Sequence, residues 1–317
     1  MLCMYKSDGD TLLELTTTSC EKGIWFNLIN PSVEELCLVA TATNAPMDFL
    51  RAALDEEERS RTEIEDDCLL VITNISVMRG LDTYDTLPLA IILTPDHIVT
   101  VCLENNRVLG DFNPSTAKTF NTIKKTRFLF QILYKSASYY LMYVKQINRR
   151  IDEIERQLRR SMKNRELFQL LELQKGFTFF SASLRANGIV LERLLRIRMN
   201  TQLQHIIKVY EEDEDLLEDV IIENKQAIEM VEMYSHVLTG MMDTFASVIS
   251  NNLNMVMKFL ASMTILLAIP TMISSFFGMN LVIPFGAEHP LGFWYVVLFS
   301  FALAIIGAYG LWKKGML

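Results

Sequence analysis

The feature that most constrains this chain is an uncharged stretch near its C-terminus. No residue from Phe259 to Ala287 carries a formal charge. About 20 apolar residues suffice to cross a bilayer as a helix. A second uncharged run, Gly292 to Trp312, is also long enough to span. We therefore predict two transmembrane helices, at about 257–278 and 292–312, joined by an outer loop at 279–291.

A stripe of small and polar residues runs along the first predicted span. The stripe is found by stepping from Asp243 alternately by four and by three residues. Every residue in this series except Met257 is small, polar or charged. The series is Asp243, Ser247, Ser250, Asn254, Met257, Ala261, Thr264, Ala268, Thr271, Ser275 and Gly278. A period of 3.5 residues keeps such a stripe facing one axis in a helical bundle. Tight helix packing also uses small residues, but polar groups at membrane depth usually face protein or water. We predict a pore wall.

Charge is concentrated in the rest of the chain, which is mostly acidic. The 317 residues carry a net charge of −8, which argues against a nucleic-acid partner because such proteins need basic patches. Five scattered cysteines without C-x-x-C spacing argue against a disulfide framework or a zinc cluster. The sequence has no nucleophile–base spacing and no Gly-rich phosphate loop. We therefore expect no enzymatic activity.

Residues 1–118 are expected to form an α+β domain. Strands are predicted at Gly23 to Asn30, Cys68 to Val77, Leu87 to Leu93 and Ile98 to Leu103, the last two joined by a hairpin turn. Ser32 and Glu35 have capping-box spacing and predict a helix start. A second helix is predicted from Met47 to about Glu58. The acidic run from Asp55 to Asp67 is either a solvated helix end and loop or a divalent-cation site.

Long helices are predicted for the remaining part before the membrane. Residues 119–210 fit a helical hairpin that breaks near Ser161 to Asn164. A single stalk helix over 211–278 would continue as the first span and reach roughly 95 Å at ~1.5 Å per residue. Lys258 and the basic tail at 313–317 flank the spans opposite the loop. The positive-inside rule then places both termini in the cytoplasm of a plasma or inner membrane.

The ending Gly278-Met279-Asn280 after an apolar span, with this chain order, resembles the CorA family of magnesium channels. The resemblance runs without gaps from Asn254 to Asn280. It implies a funnel-shaped homopentamer that carries Mg²⁺, or Co²⁺ or Ni²⁺, inward through the bilayer. Gly278, Met279 and Asn280 would form the selectivity filter, with Asn280 as a metal-facing ring. Pore positions would fall on Asn254, Met257, Leu260 and Thr271, with Asp243 as a cytoplasmic acidic ring.

The resemblance also implies regulation by cytoplasmic Mg²⁺. Asp219 matches the stalk side of a regulatory metal site, whereas its usual partner aligns with Ala52, so we expect Asp55 to substitute. Glu288 in the outer loop is either a solvated charge or a means of concentrating cations at the entrance.

Two positions of the first span depart from the family pattern. Ala261 stands where relatives often carry threonine, and Pro270 is one residue from its common place. Two alternatives remain at this point: a zinc or proton-coupled transporter of the ZntB type, and a membrane sensor that does not conduct.

Overall fold

The computed structural model of the chain describes residues 1–15, 21–161, 164–199, 211–279 and 291–316. The chain forms two compact units, Met1–Gly240 and Met241–Leu317.

One mixed seven-stranded sheet forms the centre of the first unit. Its strands are β1 (Leu2–Asp8), β2 (Thr11–Leu15), β3 (Ile24–Ile29), β4 (Arg61–Glu65), β5 (Cys68–Met78), β6 (Tyr84–Leu93) and β7 (Ile98–Cys102). The strand order is β2-β1-β3-β7-β6-β5-β4. Strands β3 and β7 pair in parallel, and all other neighbours pair antiparallel.

Both faces of this sheet are covered, which explains the continuous apolar run in β5. Successive side chains of a strand point to opposite faces. Accordingly, Leu69 and Val71 lie in one core, whereas Leu70 and Ile72 lie in the other. The predicted strands and the β6–β7 hairpin are confirmed, and the Thr94 N–H donates to the His97 carbonyl across the turn.

Two short helices, α1 (Val33–Thr43) and α2 (Met47–Ala52), contribute residues to the second core. The capping box at the start of α1 is confirmed: the Glu35 N–H donates to Ser32 Oγ, and the Ser32 N–H donates to Glu35 Oε2. The prediction that α2 extends to about Glu58 is wrong. It ends at Ala52, and the Asp55 carboxylate then accepts from the Glu57 N–H in a separate turn.

The acidic run that follows forms a β-hairpin that sequence reasoning missed. Asp66 and Asp67 connect β4 to β5 with φ values of 48° and 59°. Positive φ at both central residues defines the type I′ turn favoured between twisted antiparallel strands, and aspartate tolerates it. Arg61 forms ion pairs with Glu58 and Glu63 in the same run.

The predicted helical hairpin is confirmed. A short helix, α3 (Arg107–Gly110), precedes α4 (Lys125–Ser161) and α5 (Asn164–Met199). The rings of Tyr140 and Phe180 are 5.0 Å apart, as expected for antiparallel helices. Arg150 of α4 binds Asp82 through two hydrogen bonds of 2.6 and 3.1 Å, and Gln169 of α5 reaches the same carboxylate at 3.2 Å. The β5–β6 loop is thereby fixed to both helices.

Asn187 of α5 attaches the hairpin to the sheet at a gap in strand pairing. Strand β4 begins at Arg61 opposite Ile72, so Asn74 lies beyond its reach. The Asn187 amide supplies the missing partner: its Oδ1 accepts from the Asn74 N–H at 2.9 Å, and its Nδ2 donates to the Asn74 carbonyl at 2.8 Å. On the other side Asn74 faces Pro88, which has no N–H to satisfy.

The last two helices are α6 (Glu211–Phe277) and α7 (Gly292–Lys313). The prediction of one uninterrupted helix from the acidic segment into the first span is confirmed, and Pro270 does not end it. The boundary between the two units falls within α6. Both helices are long and apolar enough to cross a membrane.

Candidate ion pathway

One face of α6 packs against α7 in the second unit. Ser262 is fully buried, Ile273 is nearly so, and Leu266 and Ile269 are half-buried between them. Gly307 of α7 lies over this face: a Cβ there would stand 3.0 Å from Ile269 Cδ1 and 3.7 Å from Leu266 Cδ2. The missing side chain therefore permits close contact, as small residues do between membrane helices.

The predicted pore stripe lies on the other side of α6. At about 100° per residue, Thr264 and Thr271 point roughly 170° away from the face that packs on α7. By the same count Asn254 and Ala261 lie about 90° and 110° away. All eight predicted lining residues are exposed: Asn254, Met257, Leu260, Ala261, Thr264, Ala268, Thr271 and Ser275. Packing against α7 therefore does not account for the stripe.

The hydroxyl groups of the stripe are oriented by their own helix. Thr264 Oγ1 donates to the Leu260 carbonyl at 2.9 Å, and Thr271 Oγ1 donates to the Leu267 carbonyl at 3.0 Å. A threonine hydroxyl has one hydrogen and two acceptor lone pairs. Because the hydrogen is directed back into the helix, each oxygen is left to accept hydrogen bonds on the exposed face.

The signature residues lie where α6 ends. The Gly278 N–H donates to the Ser274 carbonyl at 3.0 Å, and the Met279 N–H reaches the Phe276 carbonyl at 3.4 Å. A Cβ on Gly278 would stand 3.3 Å from the Ser274 oxygen, so glycine fits this closing turn best. Asn280 and Glu288 lie outside the described residues.

Asp243 precedes the span and is exposed. Its backbone carbonyl accepts a hydrogen bond from Ser247 Oγ at 3.0 Å, and its side-chain carboxylate takes no part in that bond. It is the single acidic residue among the described residues of the second unit.

The two predicted regulatory acids lie on different elements of the chain. Asp219 is exposed on α6, and Asp55 is held in its own turn by the Glu57 N–H. Ala52 is only 9% exposed and belongs to the second core, so that position is structural. Asp213 is 2% exposed and pairs with Arg127 at 3.4 Å. No group of three or more His, Cys, Asp or Glu in the described ranges could hold a metal ion.

Ser262 and Gly307 are the residues of this region that sequence reasoning missed. Both are small residues inside apolar helices, a pattern that indicates helix contact. The partner of each could not be identified without the structure.

Comparisons with known proteins agree with this architecture. Residues 21–313 match the family described as "CorA-like Mg2+ transporter protein". The chain is 27% identical over 301 residues to the "Cobalt/magnesium transport protein CorA" of Methanocaldococcus jannaschii, covering 92% of this chain and 90% of that one. The complete structure of the CorA magnesium transporter from the same organism superposes with a TM-score of 0.82 at 26% identity, covering 98% and 96% of the two chains.

A more distant likeness links the chain to the ZntB cytoplasmic domain from Vibrio parahaemolyticus. The TM-score is 0.59 at 14% identity, with 80% of this chain and 97% of that one covered, and shows a shared fold. The family match spans nearly the whole chain, and the complete CorA structure confirms the fold class of an α+β domain, a long helix and two C-terminal apolar helices. This chain is therefore a member of the CorA-like family of divalent-cation transporters.

Proposed function

We propose that the chain assembles as a homopentamer and conducts hydrated Mg²⁺ inward along the α6 stripe. The observation that carries this proposal is the division of α6 into two faces. One face packs on α7, and the other presents exposed, mostly small or polar side chains that do not pack on α7. Copies of the latter face around an axis would enclose a polar path through the bilayer.

The chemistry of the stripe suits a hydrated cation. Mg²⁺ gives up its waters reluctantly, so the species that meets the wall presents outward-pointing O–H donors. Thr264 and Thr271 offer acceptor oxygens, because their hydrogens are directed to backbone carbonyls. The described part of the span carries no carboxylate that would hold the ion too tightly for release.

The outer end would set selectivity. We assign Gly278, Met279 and Asn280 to the filter, where a ring of Asn280 carbonyl oxygens would hydrogen-bond the ion's water shell, and Glu288 to cation attraction. An inside-negative potential favours entry of a divalent ion by about 4.6 kcal/mol per 100 mV, twice the figure for a single charge. No ATP-driven step is required.

Regulation would act through acids of neighbouring subunits. We assign Asp243 to an inner acidic ring and Asp219 with Asp55 to a regulatory Mg²⁺ site between subunits. Both regulatory acids are exposed, as a shared site requires. Mg²⁺ bound there would stabilise the closed state by differential binding. Both termini would lie in the cytoplasm, with residues 1–118, 119–210 and 211–278 as α+β domain, hairpin and stalk.

The test is uptake of Mg²⁺, Co²⁺ and Zn²⁺ into liposomes under an inside-negative potential. We expect Mg²⁺ uptake by the wild-type protein, loss of at least tenfold in Asn280→Ala, and full activity in Asn251→Ala, a matched control at an exposed α6 position. Zinc uptake that depends on a proton gradient would favour the ZntB-type alternative. No flux of any ion through inserted protein would favour the sensor alternative.

A further inference from the structure

A buried hydroxyl of α6 is hydrogen-bonded to the segment that follows α7. Ser262 Oγ lies 2.8 Å from the Lys258 carbonyl oxygen and 2.9 Å from the Met316 carbonyl oxygen, and it can donate to either. The two carbonyls are therefore within about 6 Å of each other. Because Ser262 is fully buried, this bond is shielded from competing water.

A tight turn holds the tail in place after α7 ends. The Gly315 N–H donates to the Trp312 carbonyl at 2.9 Å, and the Met316 N–H donates to the Leu311 carbonyl at 3.1 Å. Gly315 has a φ of +65°, the left-handed conformation that glycine adopts without strain at a helix C-terminus. The position of Met316 against Ser262 is thus fixed by backbone bonds.

This arrangement brings three lysines to one place. Lys258 lies one turn before Ser262 on nearly the same face of α6, and Lys314 lies two turns after Gly307 on the face of α7 that meets α6. Lys313 adjoins it. All three are exposed, and within the described part of the chain their side chains make no ion pair or hydrogen bond. Asp243 lies 15 residues before Lys258, roughly 22 Å along the helix at ~1.5 Å per residue.

Aromatic side chains place this cluster at the level of lipid headgroups. Tyr309 and Trp312 are exposed, with ring centroids 6.1 Å apart; Tyr309 lies about one turn before Lys313, and Trp312 directly precedes it. Tyr and Trp concentrate at membrane–water interfaces, and basic pockets between membrane helices bind anionic headgroups.

We propose that Lys258, Lys313 and Lys314 form a binding site for the phosphate of an anionic phospholipid, assembled by the Ser262–Met316 hydrogen bond. The lipid would bridge α6 and α7 at the end of the span where both helices meet water. The proposal requires only that the two helices cross a bilayer, and not that they conduct.

The experiment measures which lipid the purified full-length protein retains. Protein in detergent is incubated with equal amounts of phosphatidylglycerol and phosphatidylcholine, and bound lipid is quantified by mass spectrometry. We expect about tenfold enrichment of phosphatidylglycerol on the wild type and none on a Lys258→Gln, Lys313→Gln, Lys314→Gln triple variant. The matched control replaces three exposed lysines elsewhere, Lys118, Lys145 and Lys225, with glutamine and should keep the enrichment.

Two further variants separate a built site from simple attraction between charges. Ser262→Ala keeps every lysine but removes the tether, so we expect enrichment to fall at least threefold. Ser262→Thr retains the hydroxyl and should restore it, which distinguishes loss of the bond from misfolding. Equal enrichment in wild type and Ser262→Ala would overturn the built site. A further control adds inorganic phosphate at roughly 10 mM, which is enough to fill a site that prefers a free anion. Loss of the lipid enrichment under this condition would overturn the lipid assignment.

Discussion

Substituting the same bulky side chain on two different helix faces tests whether the α6 stripe lines the pathway. Ala268 lies on the stripe, and Ala302 lies on α7, roughly 140° around that helix from Gly307 at about 100° per residue. Both alanines are exposed. Ala268→Leu would project into the proposed path, whereas Ala302→Leu would project into lipid, where leucine is well tolerated.

The size of the effect follows from the geometry. Leucine adds two C–C bonds along its length and reaches about 2.5 Å beyond the alanine Cβ. In a ring of five, the opening would narrow by about 5 Å across, twice that reach. An Mg²⁺ ion with its first water shell measures about 7 Å across, given ion–oxygen distances near 2.1 Å and a water radius near 1.4 Å. The path would have to exceed about 12 Å at Ala268 for the hydrated ion still to pass.

The assay is the initial rate of Mg²⁺ uptake into liposomes, divided by the amount of inserted protein. We expect Ala268→Leu to lose at least tenfold in rate, which corresponds to about 1.4 kcal/mol in the barrier, and Ala302→Leu to match the wild type. Size-exclusion chromatography must show the same assembly for all three proteins. Equal rates in both variants, or equal losses, would refute the assignment of the stripe to the pathway.

Three further predictions concern stability. Burial lowers the pKa of His97 in the folded state, so the unfolded state takes up a proton first as the pH falls through the ordinary pKa of about 6.5. The free energy of unfolding should therefore decrease below that pH. In chemical denaturation at pH 5 and pH 7, His97→Gln should remove this part of the pH dependence. Asn187→Ala leaves the Asn74 N–H without its partner and should lower the free energy of unfolding by about 2 kcal/mol in chemical denaturation. Gly307→Val places carbon against Ile269 and should lower stability by about 1–3 kcal/mol in thermal unfolding in detergent.

Each of these predictions has a matched control in the chain. His236 is exposed, and its replacement by glutamine should leave the pH dependence unchanged. Asn148→Ala removes an amide that has no described hydrogen bond and should cost little. Gly310 has open space at its Cβ position, so Gly310→Val isolates the change in helix propensity from the clash. If a control matches its test variant, the corresponding contact does not stabilise the protein as described.

Local chemistry made part of the fold predictable. The Ser32–Glu35 capping box and the Thr94–His97 turn depend on residues close in sequence, and the structure has both. The apolar runs of β5 and β6 indicated buried strands for the same reason. Strands β1, β2 and β4 were not predicted, because short strands with mixed polar residues at or next to the sheet edges lack a strong pattern.

The candidate pathway was predictable to a different extent. The 3.5-residue stripe predicts which residues line the pathway, since the period is a property of one helix. Which face meets α7 depends on a contact between residues far apart in sequence, such as Gly307 and Ile269. The end of α2 at Ala52 was missed because the following acids favour helix by propensity, whereas the Asp55 side chain bonds its local backbone instead.

The bond between Asn187 and Asn74 has a consequence for how identical chains can meet. Strand β5 has 11 residues and β4 only five, so the second half of β5 is an edge of the sheet with unpaired backbone groups. Such an edge is a template for pairing with another copy of the same chain, which leads to aggregation. The Asn187 side-chain amide of the helical hairpin bonds both the N–H and the carbonyl of Asn74, as the backbone of a neighbouring strand would. If the chain assembles as proposed, this amide keeps the sheets of neighbouring copies from pairing along that edge.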